Sequence, residues 1–237
     1  MDELDVTRVG DLRLIYRPKT NDNIIINEIL NDDIYRLRNI RTDENVNILD
    51  IGSHIGIFSL ASRLAFPKAN IVGYELDEEN YILSLINNGL NNANIRFFNK
   101  AIVPPKSSNI LPSGRIKHTT RNRGSFALLY GNTVDENLDI EYFDSLLDKY
   151  YHILKMDIEG GEFPILENIN IETLASHIGY FIIEFHNNFV KKTGYKPNKF
   201  KSSRQVVREF SKYFDVLHCI VYSPVLQIYV FRNKHLG

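Results

Sequence analysis

The sequence contains one cysteine and almost no net charge, and each shortage excludes a class of protein. The single cysteine, Cys219, excludes an internal disulfide framework and a thiolate zinc site. The apolar run around Cys219 predicts a small buried side chain rather than a reactive thiol. A formal net charge of −1 over 237 residues gives no overall attraction to nucleic acid, so a nucleic-acid partner is not expected.

Long apolar runs are also missing. None approaches the roughly 18 residues of a membrane-spanning helix. The acidic start, Met1–Asp5, does not resemble a signal peptide. We therefore expect no membrane span and predict a soluble, cytoplasmic protein, whose oligomeric state stays open.

From Asn45 onward, short apolar segments alternate with segments of helical periodicity. Strands are predicted at 46–51, 71–76, 95–98, 152–157 and 180–184, helices at 55–66, 77–90, 162–169 and 202–214, and a closing strand pair at 216–222 and 225–231. Strands that alternate with helices favour a mainly parallel sheet covered on both faces. The expected fold class is therefore α/β and Rossmann-like.

Two regions interrupt this alternation. Residues 1–43 are predicted to form an N-terminal extension that can cover the active site, with a strand at Leu12–Tyr16 and a helix at 24–37. Residues 104–135 contain several prolines and glycines and are predicted to form a basic loop or irregular hairpin inserted into the main domain, 44–237.

The loop Asp50–Gly56 follows the first strand of the main domain, where parallel sheets bind their ligands. A dinucleotide fingerprint starting at Gly52 would need glycine where His54 and Ile57 stand. The carboxylate of Asp50 would also repel a diphosphate. S-Adenosylmethionine carries an ammonium and a sulfonium, which an acid favours, and one carboxylate, which helix amides can receive.

Glu75 lies at the end of the next strand, where a carboxylate can accept hydrogen bonds from ribose hydroxyls. Both cofactors carry a ribose, so Glu75 indicates an adenosine without choosing between them. The alternative is that Gly52 and Gly56 only permit a tight turn. Asp50 and Glu75 together favour S-adenosylmethionine.

These residues form a recognisable pattern. The string DIGSHIG (50–56), followed by Glu75, resembles the first two motifs of class I methyltransferases. Four further segments are similar to the FkbM-type subgroup of these enzymes: ILKMDIEGGE (153–162), FIIEFH (181–186), FDSLL (143–147) and NRGS (122–125). The resemblance implies a seven-stranded sheet with a short N-terminal extension. It also implies O-methylation of a hydroxyl on a sugar, glycan or natural product.

The resemblance further places Asn99 and Ala101 near the adenine. The cofactor-binding residues expected in total are Asp50, Gly52, Ser53, His54, Gly56, Glu75, Leu76, Asn99 and Ala101.

Acidic residues and one histidine follow two later strands that are expected to be neighbours. Methyl transfer to a hydroxyl needs a base or a metal that lowers the pKa of that hydroxyl. One hypothesis makes His186 or Asp157 the base, with Glu184 as a third catalytic residue. A second places Mg or Mn on Asp157, Glu184 and His186. A third has Glu159 and Glu162 only capping the following helix.

The inserted loop carries several cations and lies where a substrate would enter. The residues expected to contact the substrate are Arg121, Arg123, Ser125 and Glu159. The arginines of this loop would suit an anionic substrate, such as a phosphorylated or nucleotide-linked sugar. Two rival functions stay open. One is an RNA ribose 2′-O-methyltransferase, which the near-neutral charge disfavours. The other is a non-catalytic module that binds an adenosine ligand.

Overall fold

The structure is a computed structural model, and it describes residues 3–42, 45–117, 126–131 and 135–236. The strands are β1 (Asp5–Val9), β2 (Leu12–Tyr16), β3 (Asn47–Ile51), β4 (Asn70–Tyr74), β5 (Arg96–Phe98), β6 (Ala101–Val103), β7 (Pro112–Lys117), β8 (Phe126–Tyr130), β9 (Ile140–Tyr142), β10 (Tyr151–Met156), β11 (Ile178–His186), β12 (Phe214–Ser223) and β13 (Leu226–Asn233). The helices are α1 (Asp22–Leu30), α2 (Ile57–Ala65), α3 (Glu78–Leu90), α4 (Glu162–Glu167), α5 (Ile171–Ser176), α6 (Phe189–Thr193) and α7 (Ser203–Phe210), with short 3₁₀ turns at Leu37–Asn39, Lys106–Ser108 and Phe143–Leu146.

A seven-stranded sheet forms the centre, in the order β12-β13-β11-β10-β3-β4-β5. The strands from β11 to β5 are parallel, whereas β13 is antiparallel to both of its neighbours. Strands such as β3 and β10 are almost fully buried, which explains their nearly continuous apolar sequence. The predicted mainly parallel, seven-stranded sheet is confirmed.

Helices cover both faces of this sheet, also as predicted. Side chains alternate across a strand, so Ile48 and Ile153 enter one core and Leu49 and Leu154 the other. The first core contains residues of α1, α2 and α3, and the second contains residues of α4, α5 and α7. This layering leaves the carboxyl ends of the parallel strands open at one edge, where the loops meet.

The N-terminal segment packs against the first of these faces. Strands β1 and β2 form an antiparallel hairpin, and Asn87 of α3 both accepts from the N–H of Ile15 and donates to its carbonyl. Helix α1 packs against α2. The helix predicted at 24–37 is wrong beyond Leu30, because Asp33 and Arg36 take left-handed backbone angles there. The domain boundaries themselves stay a prediction.

The predicted inserted loop contains a β-hairpin. Strands β7 and β8 form an irregular hairpin within the predicted inserted loop, of which 118–125 and 132–134 lie outside the described residues. Cys219 is exposed, so the expectation that it is buried was wrong. It lies on β12, an edge strand in which most residues are exposed.

Among the helices that the structure describes, none has both the length and the apolar character needed to cross a membrane.

Candidate active site

A cavity of about 320 Å³ lies at the carboxyl ends of β3, β4, β10 and β11, a size within the usual range for ligand sites. The predicted site residues that line it are Gly52, Ser53, His54, Glu75, Leu76, Ala101, Asp157, Glu159 and Glu184. The structure thus brings the expected cofactor loop and the expected catalytic carboxylates into one cavity. Asp50, Gly56, Asn99 and His186 do not line it.

Gly52 is required where the loops after β3 and β10 approach each other. Its φ angle is +79°, and a Cβ atom there would lie 1.8 Å from the carbonyl oxygen of Asp157. The N–H groups of Gly52 and Ser53 both donate to the carbonyl of Tyr74, at 2.9 Å. Gly56 is the N-cap of α2, with φ +86°, and packs against Ser84 and Phe97 instead. The turn therefore needs both glycines, but only Gly52 faces the cavity.

Asp50 acts from behind the cofactor loop. Its fully buried carboxylate accepts from Ser59 Oγ at 2.7 Å and lies 3.4 Å from Lys155 Nζ. Lys155 also donates to the carbonyl of Gly52 and lies 3.7 Å from Asp157. Burial lowers the pKa of Lys155, but Asp50 and Asp157 raise it further, so the group stays charged. One buried ammonium thus joins the expected cofactor loop to Asp157, one of the expected catalytic carboxylates.

Glu75 uses both oxygens to hold neighbouring backbone. Oε2 accepts from the N–H of His54 at 2.7 Å, and Oε1 accepts from the N–H of Asp77 at 2.8 Å. Asn99 donates to the carbonyls of Glu75 and Leu76 and so supports this segment from outside the cavity. A carboxylate has about four lone-pair sites, so Glu75 keeps acceptor capacity toward the cavity that it lines.

His186 lies behind the carboxylates that line the cavity, and only 4% of its surface is exposed. Its Nδ1 lies 3.2 Å from Glu162 Oε1, and its Nε2 lies 3.3 Å from Glu159 Oε2 and 3.8 Å from Glu184 Oε1. Burial alone would lower the pKa of His186, but these three carboxylates raise it to about 10. Near neutral pH the ring is therefore an imidazolium without a free lone pair for a substrate proton.

Glu184, unlike His186, has a pKa close to neutral pH. Burial, followed by the charge of Asp157, raises the pKa of Glu184 to about 8, although His186 opposes this shift. A carboxylate that lines the cavity and titrates near neutrality has the proton affinity required of a general base. The sequence identified this position, but it could not show which of the grouped residues titrates in this range.

The side chain of Glu162 stabilises the turn between β10 and α4. Its Oε1 accepts from the N–H of Ile158 at 2.9 Å, across the turn in which Glu159 adopts φ +56°. Lys192 of α6 donates to Glu159. Glu162 thus bridges the turn that precedes α4, and this bond gives no support to the helix-capping hypothesis, whereas Glu159 lines the cavity.

One of the three hypotheses from the sequence places a metal ion on Asp157, Glu184 and His186. Among the described residues, Asp157, Glu162 and His186 offer ligand atoms that all lie within 4.8 Å of one another. Glu162 takes the place expected for Glu184, and both nitrogens of His186 already face carboxylates. This geometry therefore gives no support to the metal hypothesis.

Several cavity residues were missed by sequence reasoning. Asn21, Ile25 and Glu28 of the α1 region form one wall, and Tyr222 at the end of β12 donates to Glu28 Oε1 at 3.2 Å. The apolar spacing of Ile25 and Ile29 could have indicated a buried helix face, but not what that face would cover. Arg121, Arg123 and Ser125, the expected substrate contacts, lie outside the described residues.

The charge of the cavity suits the expected cofactor. Five carboxylates (Glu28, Glu75, Asp157, Glu159 and Glu184) and two ammonium groups (Lys100 and Lys155) line it among the described residues. Lys100 is paired outside the cavity region with Glu141 at 3.3 Å. An excess of acid favours a ligand that carries a sulfonium and an ammonium against one carboxylate.

Most of the chain matches one known protein family. The family model described as the methyltransferase FkbM domain matches residues 50–214, which is more than half of the chain. The chain belongs to the FkbM methyltransferase family. The predicted resemblance is confirmed, and this FkbM-type protein is an S-adenosylmethionine-dependent methyltransferase.

Individual relatives agree with this family. The methyltransferase sdnD of Sordaria araneosa is 24% identical over 189 residues, which cover 65% of this chain and 71% of that protein. The fibrillarin/Nop5p complex structure matches with a TM-score of 0.51 and 13% identity, over 96% of this chain and 97% of that chain. This likeness shows the shared fold.

A Pyrococcus abyssi tRNA (uracil-54, C5)-methyltransferase, solved with S-adenosyl-L-homocysteine, matches with a TM-score of 0.49 and 10% identity. The match covers 97% of this chain but only 44% of that one, so this chain spans less than half of the tRNA enzyme. The prediction that nucleic acid is not a partner stays a prediction.

Proposed function

We propose that this FkbM-type protein methylates a hydroxyl of a sugar, glycan or natural product, with Glu184 as the general base. Glu184 supports the proposal because it lines the cavity beside Asp157 and has a pKa raised to about 8. A hydroxyl is a poor nucleophile until a base accepts its proton, and a positioned base contributes about 10²–10⁴-fold to the rate.

The cavity residues fit S-adenosylmethionine, which supplies an electrophilic methyl group when bound. Glu75 would accept from the ribose hydroxyls, and Leu76 and Ala101 would contact the adenine. The loop of Gly52, Ser53 and His54 would hold the amino-acid portion. The acid excess of the cavity complements the cationic end of this cofactor.

The other charged residues have supporting roles in this proposal. Asp157 stays beside the ammonium of Lys155, 3.7 Å away, and raises the proton affinity of Glu184. His186 is a positioning residue, since it is protonated and touches Glu184 from behind the cavity. The sequence favours Asp157 or His186 as the base, whereas the position and raised pKa of Glu184 support Glu184 in that role.

Arg121, Arg123, Ser125 and Glu159 remain the proposed substrate contacts. An anionic substrate would need the arginines, since the described part of the cavity is rich in acid. If Arg121→Ala combined with Arg123→Ala methylates charged and neutral acceptors at wild-type rates, the anionic preference is wrong.

An acceptor screen tests the proposal. Methyl-labelled S-adenosylmethionine is incubated with the protein and sugar nucleotides, oligosaccharides, hydroxylated natural products or total RNA, each with and without magnesium. We expect label in the hydroxyl of a small or glycan acceptor. Label in acid-insoluble RNA would instead support the ribose 2′-O-methyltransferase. Cofactor binding without turnover on any acceptor would support the non-catalytic module.

A further inference from the structure

Tyr35 contributes a phenol to the wall of the cavity. It lies in the turn that follows α1, outside residues 50–214, which the family model matches. Only 4% of its surface is exposed. Its ring packs edge-on against Phe58 of α2, with the ring centroids 5.4 Å apart. Core packing therefore fixes the ring of a residue that also borders the cavity.

The hydroxyl of Tyr35 is accessible from the cavity. Within the part of the chain that the structure describes, it makes no hydrogen bond, yet it is not sealed from solvent as the unpartnered hydroxyl of Tyr130 is. The residue itself is buried, so the accessible surface of its hydroxyl belongs to the cavity that it lines. Tyr35 thus presents a hydrogen-bond donor and acceptor to a ligand.

The backbone around Tyr35 is held in an uncommon conformation. Asp33 and Arg36 have φ angles of +50° and +56°, which few residues other than glycine adopt. The Asp33 carboxylate accepts from the N–H groups of Leu37 and Arg38 at 2.8 and 3.3 Å, and its carbonyl accepts from the N–H of Arg36 at 2.8 Å. Backbone of this kind persists where surrounding contacts hold it, often at functional sites. Here it sets the position of the phenol.

The phenol lies in the field of the carboxylates at the proposed acceptor end. Burial raises the pKa of Tyr35, and the charges of Glu184 and Asp157 raise it further. The hydroxyl therefore keeps its proton and can donate it in a hydrogen bond. Glu184 is the largest of these charges, so the phenol and the proposed base serve the same part of the cavity.

Two other tyrosines line the cavity, and neither has these properties. The hydroxyl of Tyr222 donates to Glu28. Burial, followed by the charge of Glu141 on β9, raises the pKa of Tyr74, which therefore faces a different set of charges from Tyr35. Tyr35 is thus the tyrosine that joins an unpartnered hydroxyl to the neighbourhood of Glu184.

We propose that the Tyr35 hydroxyl contacts the methyl acceptor and donates to the oxygen that Glu184 deprotonates. That oxygen gives its proton to Glu184 and forms a bond to the methyl carbon, whose bond to sulfur breaks and leaves its electron pair on sulfur. A hydroxyl oxygen has two lone pairs, so one can accept from Tyr35 while the other attacks. Tyr35 keeps its own proton throughout. This inference rests on the proposed hydroxyl methylation with Glu184 as base.

Tyr35→Phe tests the contact, because it removes the hydroxyl and keeps the ring against Phe58. The assay combines methyl-labelled S-adenosylmethionine with the hydroxyl acceptor that takes up most label in the acceptor screen. We expect kcat/KM for that acceptor to fall about 10- to 100-fold, as for a hydrogen bond to a charged group. Most of the loss should be in kcat, since the bond strengthens as the oxygen loses its proton. Calorimetry should show S-adenosylhomocysteine affinity within about twofold of wild type.

Tyr180→Phe is the matched control. Tyr180 is 6% exposed, donates to the carbonyl of Arg41 at 3.3 Å and does not line the cavity, so its loss should leave acceptor kinetics unchanged. Wild-type kcat/KM in Tyr35→Phe would overturn the inference, as would an equal loss of S-adenosylhomocysteine affinity or the same kinetic loss in Tyr180→Phe. If the wild-type protein labels no hydroxyl acceptor, the proposed function is itself contradicted, and the inference falls with it.

Discussion

The proposed cofactor end and the proposed acceptor end of the cavity are held by different interactions. At the cofactor end, glycine backbone and fixed amides form the site, as in the pairs of Gly52 with the Tyr74 carbonyl and His54 with Glu75. At the acceptor end, buried charges from three segments are coupled, with His186 in contact with three carboxylates. Shape dominates the first site and electrostatics the second. Variants should therefore fail by loss of binding at one end and by altered pH dependence at the other.

The largest effect is expected from Gly52→Ala. The added Cβ would overlap the Asp157 carbonyl at 1.8 Å, and the φ of +79° disfavours alanine. A misplacement of about 1 Å can cost about 100-fold in rate, so kcat/KM should fall at least that far, and calorimetry should show weaker S-adenosylhomocysteine binding. Gly89→Ala is the control, because nothing lies within 4 Å of its added Cβ on α3. Near-normal binding by Gly52→Ala would show that shape does not govern this end.

Glu184→Gln should abolish most turnover while leaving binding intact. We expect kcat to fall about 10²–10⁴-fold, with S-adenosylhomocysteine affinity within a few-fold of wild type. In the wild type, kcat should rise with pH through a midpoint near 8, because the deprotonated form of Glu184 is the active one. A variant that retained turnover and this pH profile would rule out Glu184 as the base.

His186→Gln separates a positioning residue from a base. The imidazolium lowers the pKa of Glu184, so its removal should raise that pKa and move the midpoint of the kcat profile to higher pH. We expect a loss of about tenfold in kcat at pH 7, since one pKa unit changes the deprotonated fraction about tenfold. If His186 were the base, the loss would equal that of Glu184→Gln and the rising limb would disappear.

The pH dependence of stability provides an independent check on the positive charge of His186. Its pKa is raised from 6.5 to about 10 in the folded protein, so protonation stabilises the fold. This contribution is complete below about pH 6.5, the unfolded value, and is lost as the pH rises through the folded value. Chemical denaturation should show a free energy of unfolding that falls more steeply between pH 7 and 10 in the wild type than in His186→Gln. Parallel curves would mean that the ring is not charged.

Tyr222→Phe should have the smallest effect. It removes one hydrogen bond to Glu28, at 3.2 Å, from a side chain that is 45% exposed. A bond from such an exposed side chain should lie at the lower end of the usual range, about 0.5 kcal/mol, so acceptor KM should change about two- to threefold. A much larger change would show that the α1 wall is held chiefly by this contact and that the acceptor end also depends on shape.

Local sequence was enough to predict the parallel sheet and the positions of the loops that form the site. Strand periodicity placed Asp50, Glu75, Asp157 and Glu184 at strand ends, and a parallel sheet brings such ends to one edge. The glycine loop after β3 was equally visible, because left-handed backbone angles leave a signature in residue type.

Directions of side chains could not be predicted in the same way. Asp50 turns away from the cavity toward Lys155 and Ser59, although its position in the motif suggested a ligand contact. The helix expected to reach Leu37 stops at Leu30, because the Asp33 carboxylate accepts from the N–H of Leu37 and holds a different turn.

By itself, the sequence determined the family, the sheet and the residues gathered at its edge, since these follow from periodicity and from glycine at fixed positions. The tertiary structure alone decided that His186 is a buried cation, that Glu184 titrates near neutrality and that α1 forms one wall of the cavity. The physical reason is that proton affinity depends on burial and on charges from distant segments, which only the folded chain brings within a few ångströms of each other.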